Sequence, residues 1–530
     1  PQASTTDPTR PTALADARRA VVGTIDELDV GAMRMVNVDG HRVCLIRTSE
    51  GVFALDQACP HEGYGLTQGD LDGDLVTCEW HNWKFRVIDG ACVLGQEAVR
   101  VHQVTVADDG GISVELTRPD PESLRPQLTE SLSAGIAKEY RGQVARDVVR
   151  LLKASANPGE LVWEAVAHGA PRAEFGWGHW VASATDCLSM VDLYEGDQRA
   201  LPIVQGIMGI AESERFRPVQ DLPEPATSGR VGAAAFRAVV EREDTTAAQA
   251  MVLAAIERGD TAADLRPWFT GVVSDHHLSY GHGAIYSQKA FELLDMIGWV
   301  RAPTVLPYLV PTLVYGTRED KLPYMRPFLK EMAGEDLGVL AAIDVVDGWE
   351  DDGTLHDALM GSDRRAPMSA AAEALRAGAG VDGLIDAVVR AVSERMLRYD
   401  TDGEFDFEDD FGWLDITHGL TYADAARWHH RQSAGAGTTP DLVRLALYTV
   451  FQASWTGRHE WHTRVGPRHE VEPVSADLLE YGQSLQRDSL MDGTTAFIVH
   501  AHAVKTSRAA TQEAVATGSA LPLDATARFL

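Results

Sequence analysis

Two short segments of the sequence each place a thiol and an imidazole close together. ACPHEGYGL holds Cys59 and His61 two residues apart, and TCEWHNWKF holds Cys78 and His81 three residues apart. Thiolate sulfur and imidazole nitrogen are the ligands that suit zinc, copper and iron–sulfur clusters. Zinc is one alternative, but zinc pairs are usually Cys-x-x-Cys or His-x3-5-His rather than one Cys and one His on each loop. The mixed pairs therefore favour an iron–sulfur cluster.

The two segments resemble the Rieske family, in which Cys-x-His and, after a spacer of similar length, Cys-x-x-His hold a [2Fe–2S] cluster. The resemblance implies that Cys59 and Cys78 bind one iron and that His61 and His81 bind the other. Imidazoles in place of two thiolates make the cluster less negative and raise its reduction potential. Such a cluster transfers single electrons, so the rest of the chain must determine how they are used.

A second set of candidate ligands follows residue 117. Four Ala-rich segments of helical spacing, GHWVASATDCLSM, GHGAIYSQKAFELL, THGLTYADAARW and VHAHAVKTSRAA, contain His179, His282, His418 and His502. In their order and spacing they resemble the questin oxidase-like family. That resemblance implies a non-haem iron held by several histidines and a carboxylated lysine, here Lys505. It also implies oxidation of aromatic polyketides by Baeyer–Villiger-like insertion or ring cleavage, a step in natural product biosynthesis.

Lys505 is notable independently of that resemblance. It is one of only seven lysines among 47 basic residues, and it follows His502 by three residues, so both share one helical face. A buried lysine with a lowered pKa can take up carbon dioxide and become an anionic oxygen ligand. An ion pair between Lys505 and an acidic neighbour is the simpler alternative.

Other pairs of histidine and carboxylate keep alternative sites open. In SDHHLSYGHG, His277 and His282 have the spacing of the ring-hydroxylating oxygenases, whose iron is bound by two histidines and one carboxylate. Asp275 would supply the carboxylate, although it lies two rather than three residues before His277.

A helical diiron site is a further alternative, because such sites pair a carboxylate with a histidine one turn away. Glu164 with His168, four residues apart, and Asp415 with His418, three residues apart, approach this pattern, but neither pair has the form Glu-x-x-His. A non-enzymatic alternative is an electron-transfer or redox-sensing protein, in which the helical part only binds a partner. The remaining histidine groups, His429 with His430 and HEWH from His459 to His462, are expected at the surface or beside the ligands.

The elements that must position these residues follow from composition and periodicity. Residues 1–19 are rich in Pro, Thr and small residues, which predicts a flexible tail. Residues 20–117 contain short β-branched runs between Gly and Asp turns, typical of a small all-β domain. Residues 118–530 contain long Ala-, Leu- and Arg-rich segments of helical spacing. The predicted fold is multidomain α+β: a small all-β Rieske domain followed by a large, mainly α-helical catalytic domain.

Charge and composition exclude several classes of partner. The 530 residues include 47 basic and 78 acidic side chains, a net charge of −31. This charge repels nucleic-acid phosphates and anionic lipid surfaces. No apolar run approaches the roughly 18 residues of a membrane-spanning helix. Five cysteines and no charged-then-apolar leader favour a cytoplasmic protein.

The reductant is expected to come from another protein. Gly378, Gly380 and Gly383 form G-x-G-x-x-G, but a helix-like segment precedes it where a dinucleotide motif needs a strand, so a helix–helix turn is expected. We therefore expect a separate NAD(P)H-dependent reductase or ferredoxin to donate electrons near His61 and His81.

Together these patterns predict an oxidoreductase, an iron-dependent mono- or dioxygenase. The [2Fe–2S] cluster passes electrons to a non-haem Fe(II), which activates O2 against a small aromatic, polyketide-like substrate. A homo-oligomer is expected by analogy with Rieske oxygenases. Aromatic residues that would suit a flat ring are Trp177, Trp180, Tyr286, Tyr422 and Trp428.

Overall fold

The computed structural model of the chain describes residues 19–95, 97–117, 121–227, 232–404, 411–433, 435, 437–454, 465–491 and 497–530. The chain divides into two compact units, the first ending at Ser131 and the second beginning at Leu132. Apart from residue 19, the predicted tail lies outside the described residues, as do His459 and His462.

The first unit is a small antiparallel β structure. Its described strands form a six-stranded sheet in the order β1-β10-β9-β4-β3-β2 and a four-stranded sheet in the order β5-β6-β7-β8. The strands are β1 (Arg19–Thr24), β2 (Met33–Val38), β3 (His41–Thr48), β4 (Gly51–Asp56), β5 (Asp70–Asp72), β6 (Leu75–Thr77), β7 (Lys84–Arg86), β8 (Cys92–Leu94), β9 (Val101–Val106) and β10 (Gly111–Glu115).

Strand β3 shows how this unit is held together. Val43 and Leu45 enter one apolar cluster, whereas Cys44 and Ile46 enter another on the opposite face. Successive side chains of a strand point to opposite faces, so a strand that contributes to two cores is apolar throughout. The second of these clusters also contains Cys59 and Cys78, so the candidate cluster ligands are anchored in a core.

The second unit is helical. The helices described in the chain after the β structure are α1 (Arg125–Ala137), α2 (Arg141–Lys153), α3 (Pro158–Gly169), α4 (His179–Ser189), α5 (Ala200–Ser213), α6 (Ala233–Glu241), α7 (Thr245–Arg258), α8 (Ala262–Asp275), α9 (His282–Ile297), α10 (Ala302–Tyr315), α11 (Arg326–Met332), α12 (Leu337–Ala341), α13 (Thr354–Met360), α14 (Ala366–Arg376), α15 (Gly380–Arg398), α16 (Trp413–Gln432), α17 (Pro440–Ser454), α18 (Leu478–Leu490), α19 (Phe497–Thr517) and α20 (Leu521–Phe529).

Four of these helices form a closed ring of contacts, which we call the central bundle. Helix α4 packs on α9, α9 on α16, α16 on α19, and α19 on α4. Helices α4, α9 and α16 are buried along most of their length, as expected for helices whose every face meets another helix.

The predicted fold class is confirmed: a small all-β domain precedes a large, mainly helical region. Gly378, with φ of 92°, lies in the turn between α14 and α15, and Gly380, with φ of 62°, is the first residue of α15. The G-x-G-x-x-G sequence is therefore a helix–helix turn, as expected. None of the described helices combines the length and apolarity needed to cross a bilayer.

Candidate metal centres

The two cysteine loops of the first unit share one backbone conformation. The N–H of Cys59 donates to the carbonyl of Tyr64 (2.7 Å), and its own carbonyl accepts from the N–H of Gly63 (2.8 Å). Cys78 makes the same two bonds with the residues five and four positions later (2.8 and 2.9 Å). Gly63 and Asn82 occupy the equivalent fourth position with φ of 80° and 58°, a left-handed conformation that Gly and Asn adopt most easily. The loops therefore present their ligands alike despite different sequences.

The four predicted cluster ligands converge. Cys59 and Cys78 are each only 2% exposed, and the rings of His61 and His81 meet edge to face with centroids 4.3 Å apart. Burial raises the pKa of the Cys59 thiol to about 12, and the Cys78 thiol adds to this effect. A thiolate at this position needs a bound cation to offset its charge. The donors therefore form two close pairs, the buried sulfurs of Cys59 and Cys78 and the more exposed imidazoles of His61 and His81, whose nitrogens also lie within 4.8 Å of a Glu62 oxygen.

Aromatic rings surround this set. His61 stacks on Trp83, with centroids 4.6 Å apart and planes inclined by 15°. Tyr64 stacks on Trp80 at 4.0 Å, and Trp80 is 58% exposed. The imidazoles therefore lie next to an exposed aromatic surface.

In the second unit, the central bundle brings together His179, His282, His418 and His502. One ring nitrogen of each lies within 4.8 Å of the other three. His179 and His282 are the first residues of α4 and α9, whereas His418 and His502 are each the sixth residue of α16 and α19. All four side chains come from the first two turns of their helices.

Backbone carbonyls set the tautomers of this cluster. The Nδ1 of His418 lies 2.5 Å from the carbonyl of Leu414, and that of His502 lies 2.7 Å from the carbonyl of Ile498. A carbonyl only accepts, so each Nδ1 carries the proton and each neutral Nε2 presents a lone pair. The Nε2 of His418 is 2.8 Å from that of His282 and 3.2 Å from that of His502.

These imidazoles resist protonation. Burial, followed by the charge of Lys505, lowers the pKa of His418 to about 3. The same two causes hold the pKa values of His179 and His502 well below the ordinary histidine value, and burial with the His418 charge does so for His282. Facing lone pairs at these distances repel unless a cation lies between them. The donor set therefore fits a metal ion.

The separations also fit one ion. Two nitrogens bound at about 2.1 Å lie about 3.0 Å apart when the angle between them is 90°, and about 3.4 Å apart in a tetrahedron. The observed 2.8 Å is closer to the right angle, and the observed 3.2 Å lies midway between the two values. A right angle is typical of ions with five or six ligands, and imidazole suits iron, copper and nickel as well as zinc.

Lys505 lies beside this cluster and, among the described residues, is not paired. It is 2% exposed, its Nζ lies 6.0 Å from the centroid of the Tyr286 ring, and no described residue accepts a hydrogen bond from it. Burial lowers its pKa to about 7. The simpler alternative, an ion pair with an acidic neighbour, is not formed among the described residues.

Lys289 is the contrasting buried lysine. Its Nζ lies 2.8 Å from Asp186 and 3.1 Å from Glu292. Burial alone would lower its pKa, but these two carboxylates outweigh burial and raise the value. Lys289 therefore stays charged, whereas Lys505 is poised between its charged and neutral forms.

The residues of the ring-hydroxylating alternative do not meet. Asp275 pairs with Arg237 and lies 3.5 Å from Arg444. His277 is buried with its ring edge-on to Tyr422, at a centroid distance of 5.4 Å. Neither belongs to the cluster that contains His282.

The diiron pairs are likewise separate from one another. Glu164 accepts a hydrogen bond from the Ser133 hydroxyl (2.6 Å), and Asp415 accepts from the N–H of Gly412 (2.9 Å) at the start of α16. In the described part of the chain, neither carboxylate nor His168 belongs to a group of three possible ligands.

His429 is buried rather than at the surface. Its Nδ1 accepts from the Thr270 hydroxyl (2.9 Å) and its Nε2 faces the carbonyl of Ala284 (3.3 Å). His430 is half-buried beside Asp382 at 3.3 Å. Both therefore have protein partners, and neither joins the cluster.

Sequence reasoning missed the turn that precedes His282. Ser279, Tyr280 and Gly281 have φ of 46°, 58° and 92°, three consecutive left-handed residues. Glu319, which is 3% exposed, accepts from the N–H of Tyr280 (3.0 Å). Strain of this kind persists where surrounding structure enforces it, commonly at functional sites. The Tyr280 ring lies 5.7 Å from the ring of His418, and no periodicity in the sequence signals this contact.

A group of His41, His102 and Asp56 on the first unit was also not predicted from the sequence. The Nε2 atoms of His41 and His102 lie 2.6 and 2.9 Å from the same oxygen of Asp56. The N–H of Thr117 donates to the Nδ1 of His102 (3.2 Å), so the Nε2 of His102 carries the proton and donates to Asp56. This group is a hydrogen-bonded network, not a set of free lone pairs.

Residues 18–105 match the family model described as the Rieske [2Fe-2S] domain. The match includes Cys59, His61, Cys78 and His81, and it confirms the resemblance of this part of the chain. The first unit thus carries a domain that implies a [2Fe–2S] cluster.

Individual relatives match the same region. Cholesterol 7-desaturase nvd of Drosophila melanogaster is 38% identical over 69 residues, 13% of this chain and 16% of that protein. The ferredoxin component of the alkene monooxygenase system of Xanthobacter autotrophicus is 29% identical over 102 residues, 19% of this chain and 83% of that protein. The chain spans only about 15% of the length of the cholesterol desaturases.

Among solved structures, the ferredoxin of carbazole 1,9a-dioxygenase from Nocardioides aromaticivorans IC177 is 27% identical, with a TM-score of 0.18, covering 19% of this chain and all of that one. Several of the sequence relatives, including the cholesterol desaturases and the alkene monooxygenase ferredoxin, belong to desaturase and oxygenase systems, which indicates an oxidoreductase role for this domain.

Proposed function

We propose that this chain is a Rieske-fused, non-haem iron oxygenase that oxidises a small aromatic, polyketide-like molecule with O2. The observation that carries the proposal is the cluster of four imidazoles in the central bundle, with Nε2 atoms 2.8 and 3.2 Å apart. When bound, the [2Fe–2S] cluster supplies single-electron transfer and an Fe(II) ion supplies O2 activation. The Rieske part of this oxygenase is the domain at residues 18–105.

In this proposal His179, His282, His418 and His502 hold the Fe(II). The carbonyls of Leu414 and Ile498 keep the lone pairs of two of them directed inward. Hydrogen bonds of this kind fix ring orientation and increase ligand basicity. The low pKa values of the imidazoles keep protons from competing with the metal.

Lys505 is proposed as a further ligand in carboxylated form. Its neutral amine would attack carbon dioxide, forming an N–C bond and releasing one proton, which yields a carbamate of charge −1. A pKa of about 7 makes the neutral amine a major form near neutral pH. The carbamate would offset one of the two charges of the ion, since the imidazoles offset none.

The substrate would lie against aromatic rings beside the cluster. Tyr286 lies 5.1 Å from His282 and 6.0 Å from His179, measured between ring centroids, and Tyr280 is the neighbour of His418. Aromatic faces of this kind pack on flat rings. Hydroxylation, oxygen insertion and ring cleavage are all compatible with such a site.

Electrons would come from a separate NAD(P)H-dependent reductase or ferredoxin. His81 and Trp80 are exposed next to the cluster ligands and form the surface proposed for docking. By analogy with Rieske oxygenases, we include a homo-oligomer in the proposal.

Iron content tests the function. The full-length protein should contain about three irons per chain, two in the [2Fe–2S] cluster and one more. The reduced protein should show the cluster signal together with a separate Fe(II) signal that changes when nitric oxide is added as an O2 surrogate. Two irons per chain, all in the cluster, would exclude the oxygenase.

The second candidate is an electron-transfer protein. It is favoured by the match to 83% of a ferredoxin component, a protein whose name assigns it no substrate of its own. The same iron measurement separates the two, because this candidate requires only the cluster.

A further inference from the structure

We infer that the cluster of His179, His282, His418 and His502, once it holds a divalent ion, takes an anionic oxygen donor, which an aromatic substrate would offer as a phenolate. This inference rests on the proposed function and specifies the substrate class of that site. The physical reason is the net positive charge of the groups around the cluster.

The ligand set itself carries no negative charge. Its members are four imidazoles held neutral, and in the part of the chain that the structure describes no carboxylate belongs to the group. Lys505 adds one positive charge as an ammonium or one negative charge as a carbamate. The net charge of a divalent ion, the four imidazoles and Lys505 is therefore +3 with the ammonium and +1 with the carbamate. The site is positive in both states.

The carboxylates near the cluster have partners of their own. Glu319, beside the turn before His282, accepts from the N–H of Tyr280 (3.0 Å) and from the Tyr324 hydroxyl, and Glu214, beside the start of α4, accepts from the Ser213 hydroxyl (3.2 Å). Asp186, the acidic group that acts on Lys505, pairs with Lys289 at 2.8 Å, and Glu292 shares the same lysine. Asp415, one turn before His418, accepts from the N–H of Gly412 and caps α16. These carboxylates offset local positive charge and do not neutralise the ion.

The helices add to this imbalance. The four imidazoles come from the first two turns of α4, α9, α16 and α19. Each helix N-terminus carries about +0.5 charge, which favours an anion and opposes a second cation. Lys505 provides an independent observation, because its Nζ is buried and unpartnered among the described residues.

A buried excess of positive charge is costly, and a ligand that removes it binds preferentially. A phenolate does so, whereas an ether or neutral phenol of the same shape does not. The site should therefore discriminate by charge among rings of the same shape.

The test uses the full-length protein with its [2Fe–2S] cluster intact and zinc, which is redox-silent, in the second site. Three probes share one ring: 4-nitrophenol, which ionises, 4-nitrobenzoate, which is a carboxylate, and 4-nitroanisole, which cannot ionise. Affinities are measured by titration calorimetry above the pKa of 4-nitrophenol.

We expect 4-nitrophenolate to bind at least about tenfold more tightly than 4-nitroanisole, a difference of about 1.4 kcal/mol. Removal of zinc should abolish this preference. Tighter binding of 4-nitrobenzoate as well would extend the site to carboxylates. Equal affinity for 4-nitrophenolate and 4-nitroanisole, with zinc bound, would overturn the inference.

Two variants separate this inference from the proposed function. His418→Ala should lose both the zinc and the anion preference, whereas His429→Ala, on the same helix but outside the cluster, should keep both. Absence of zinc binding in the unmodified protein would overturn the proposed metal site itself. Zinc binding without anion preference would overturn the inference alone.

Discussion

The Nε2 atoms of His282 and His418 lie 2.8 Å apart, although 136 residues separate them in the chain. His282 begins α9, and His418 lies in the second turn of α16 with its Nδ1 facing a backbone carbonyl. The Nε2 of the buried His418 therefore directs its lone pair at the ring of His282, which is only partly exposed. Substitution of one of these two histidines is therefore the most direct test of the metal site.

Replacing His418 by alanine should remove the second metal and leave the [2Fe–2S] cluster in place. Losing one of four imidazoles should weaken metal binding by at least the 10- to 100-fold typical of disturbed metal sites. Metal analysis after dialysis measures this. His429→Ala is the matched control, because His429 lies on the same helix with both ring nitrogens engaged. Equal metal loss in the two variants would contradict the assignment.

Replacing Lys505 by alanine should lower occupancy of the second site, and short carboxylic acids such as acetate should partly restore it. The acid would enter the vacated space and supply the oxygen ligand that the carbamate supplies. Lys505→Met leaves no such space and should not be rescued. Full iron occupancy in Lys505→Ala without added acid would exclude Lys505 as a ligand.

The two buried lysines should differ in their effect on stability. Lys289→Met removes the partner of Asp186 and leaves a buried carboxylate unpaired, which should lower the free energy of unfolding by about 3 to 5 kcal/mol. Lys505→Met removes a buried amine that has no hydrogen-bond partner in the described part of the chain, and it should not destabilise the metal-free protein. Urea unfolding followed by tryptophan fluorescence measures both. A loss of the same size in both variants would contradict the described pairing.

The stability of the metal-free protein should rise between pH 7 and about 10.4 because of Lys505. In this window the unfolded state, with an ordinary lysine pKa near 10.4, binds a proton that the folded state, with a pKa of about 7, does not. His418 has a similar effect at lower pH. As the pH falls from about 6.5 to about 3, the folded-state pKa of His418, the stability should decrease, because the unfolded state binds a proton that the folded state does not. Unfolding curves across pH test this, and Lys505→Met should remove only the rise above pH 7.

Replacing Glu319 by alanine should weaken metal binding without changing any ligand. Its carboxylate holds the N–H of Tyr280 and so supports the left-handed turn before His282. Zinc affinity of the second site should fall about 10-fold. Asp320→Asn, at the next residue, is the control, since Asp320 contacts His276 instead. Unchanged zinc affinity in Glu319→Ala would remove this supporting role.

Replacing Cys78 by serine should abolish the visible absorption of the [2Fe–2S] cluster while the second metal remains. The two sites use residues of different compact units. Cys92→Ser is the control, because Cys92 lies near Cys59 but is absent from the family pattern. Loss of both metals in Cys78→Ser would show that the second site requires the cluster.

The cluster loops and the helical or β character of each part could be predicted, because both depend on the spacing of residues that are close in the sequence. Each Cys and His pair of the first unit lies within one short loop, so sequence distance limits spatial distance. The division into a β part and a helical part follows from hydrophobic period, which is also local. For Lys505, the spacing from His502 predicts the shared helical face, but not the lack of a partner. That depends on Asp186 of α4 being paired with Lys289 of α9, five helices further along the chain.

The sequence by itself determined the Rieske domain, the helical class of the remainder and a short set of candidate histidines. The family resemblance nominated His179, His282, His418 and His502, but only the tertiary structure shows that these four meet and that His277 does not join them. His277 and His282 are five residues apart yet separate, since a strained turn and the pairing of Asp275 with Arg237 direct them differently. His179 and His502 are far apart in the sequence, on α4 and α19, yet their ring centroids lie only 4.7 Å apart. Such proximity arises from packing four buried helices around one another, and no local pattern in the chain records which helices those will be.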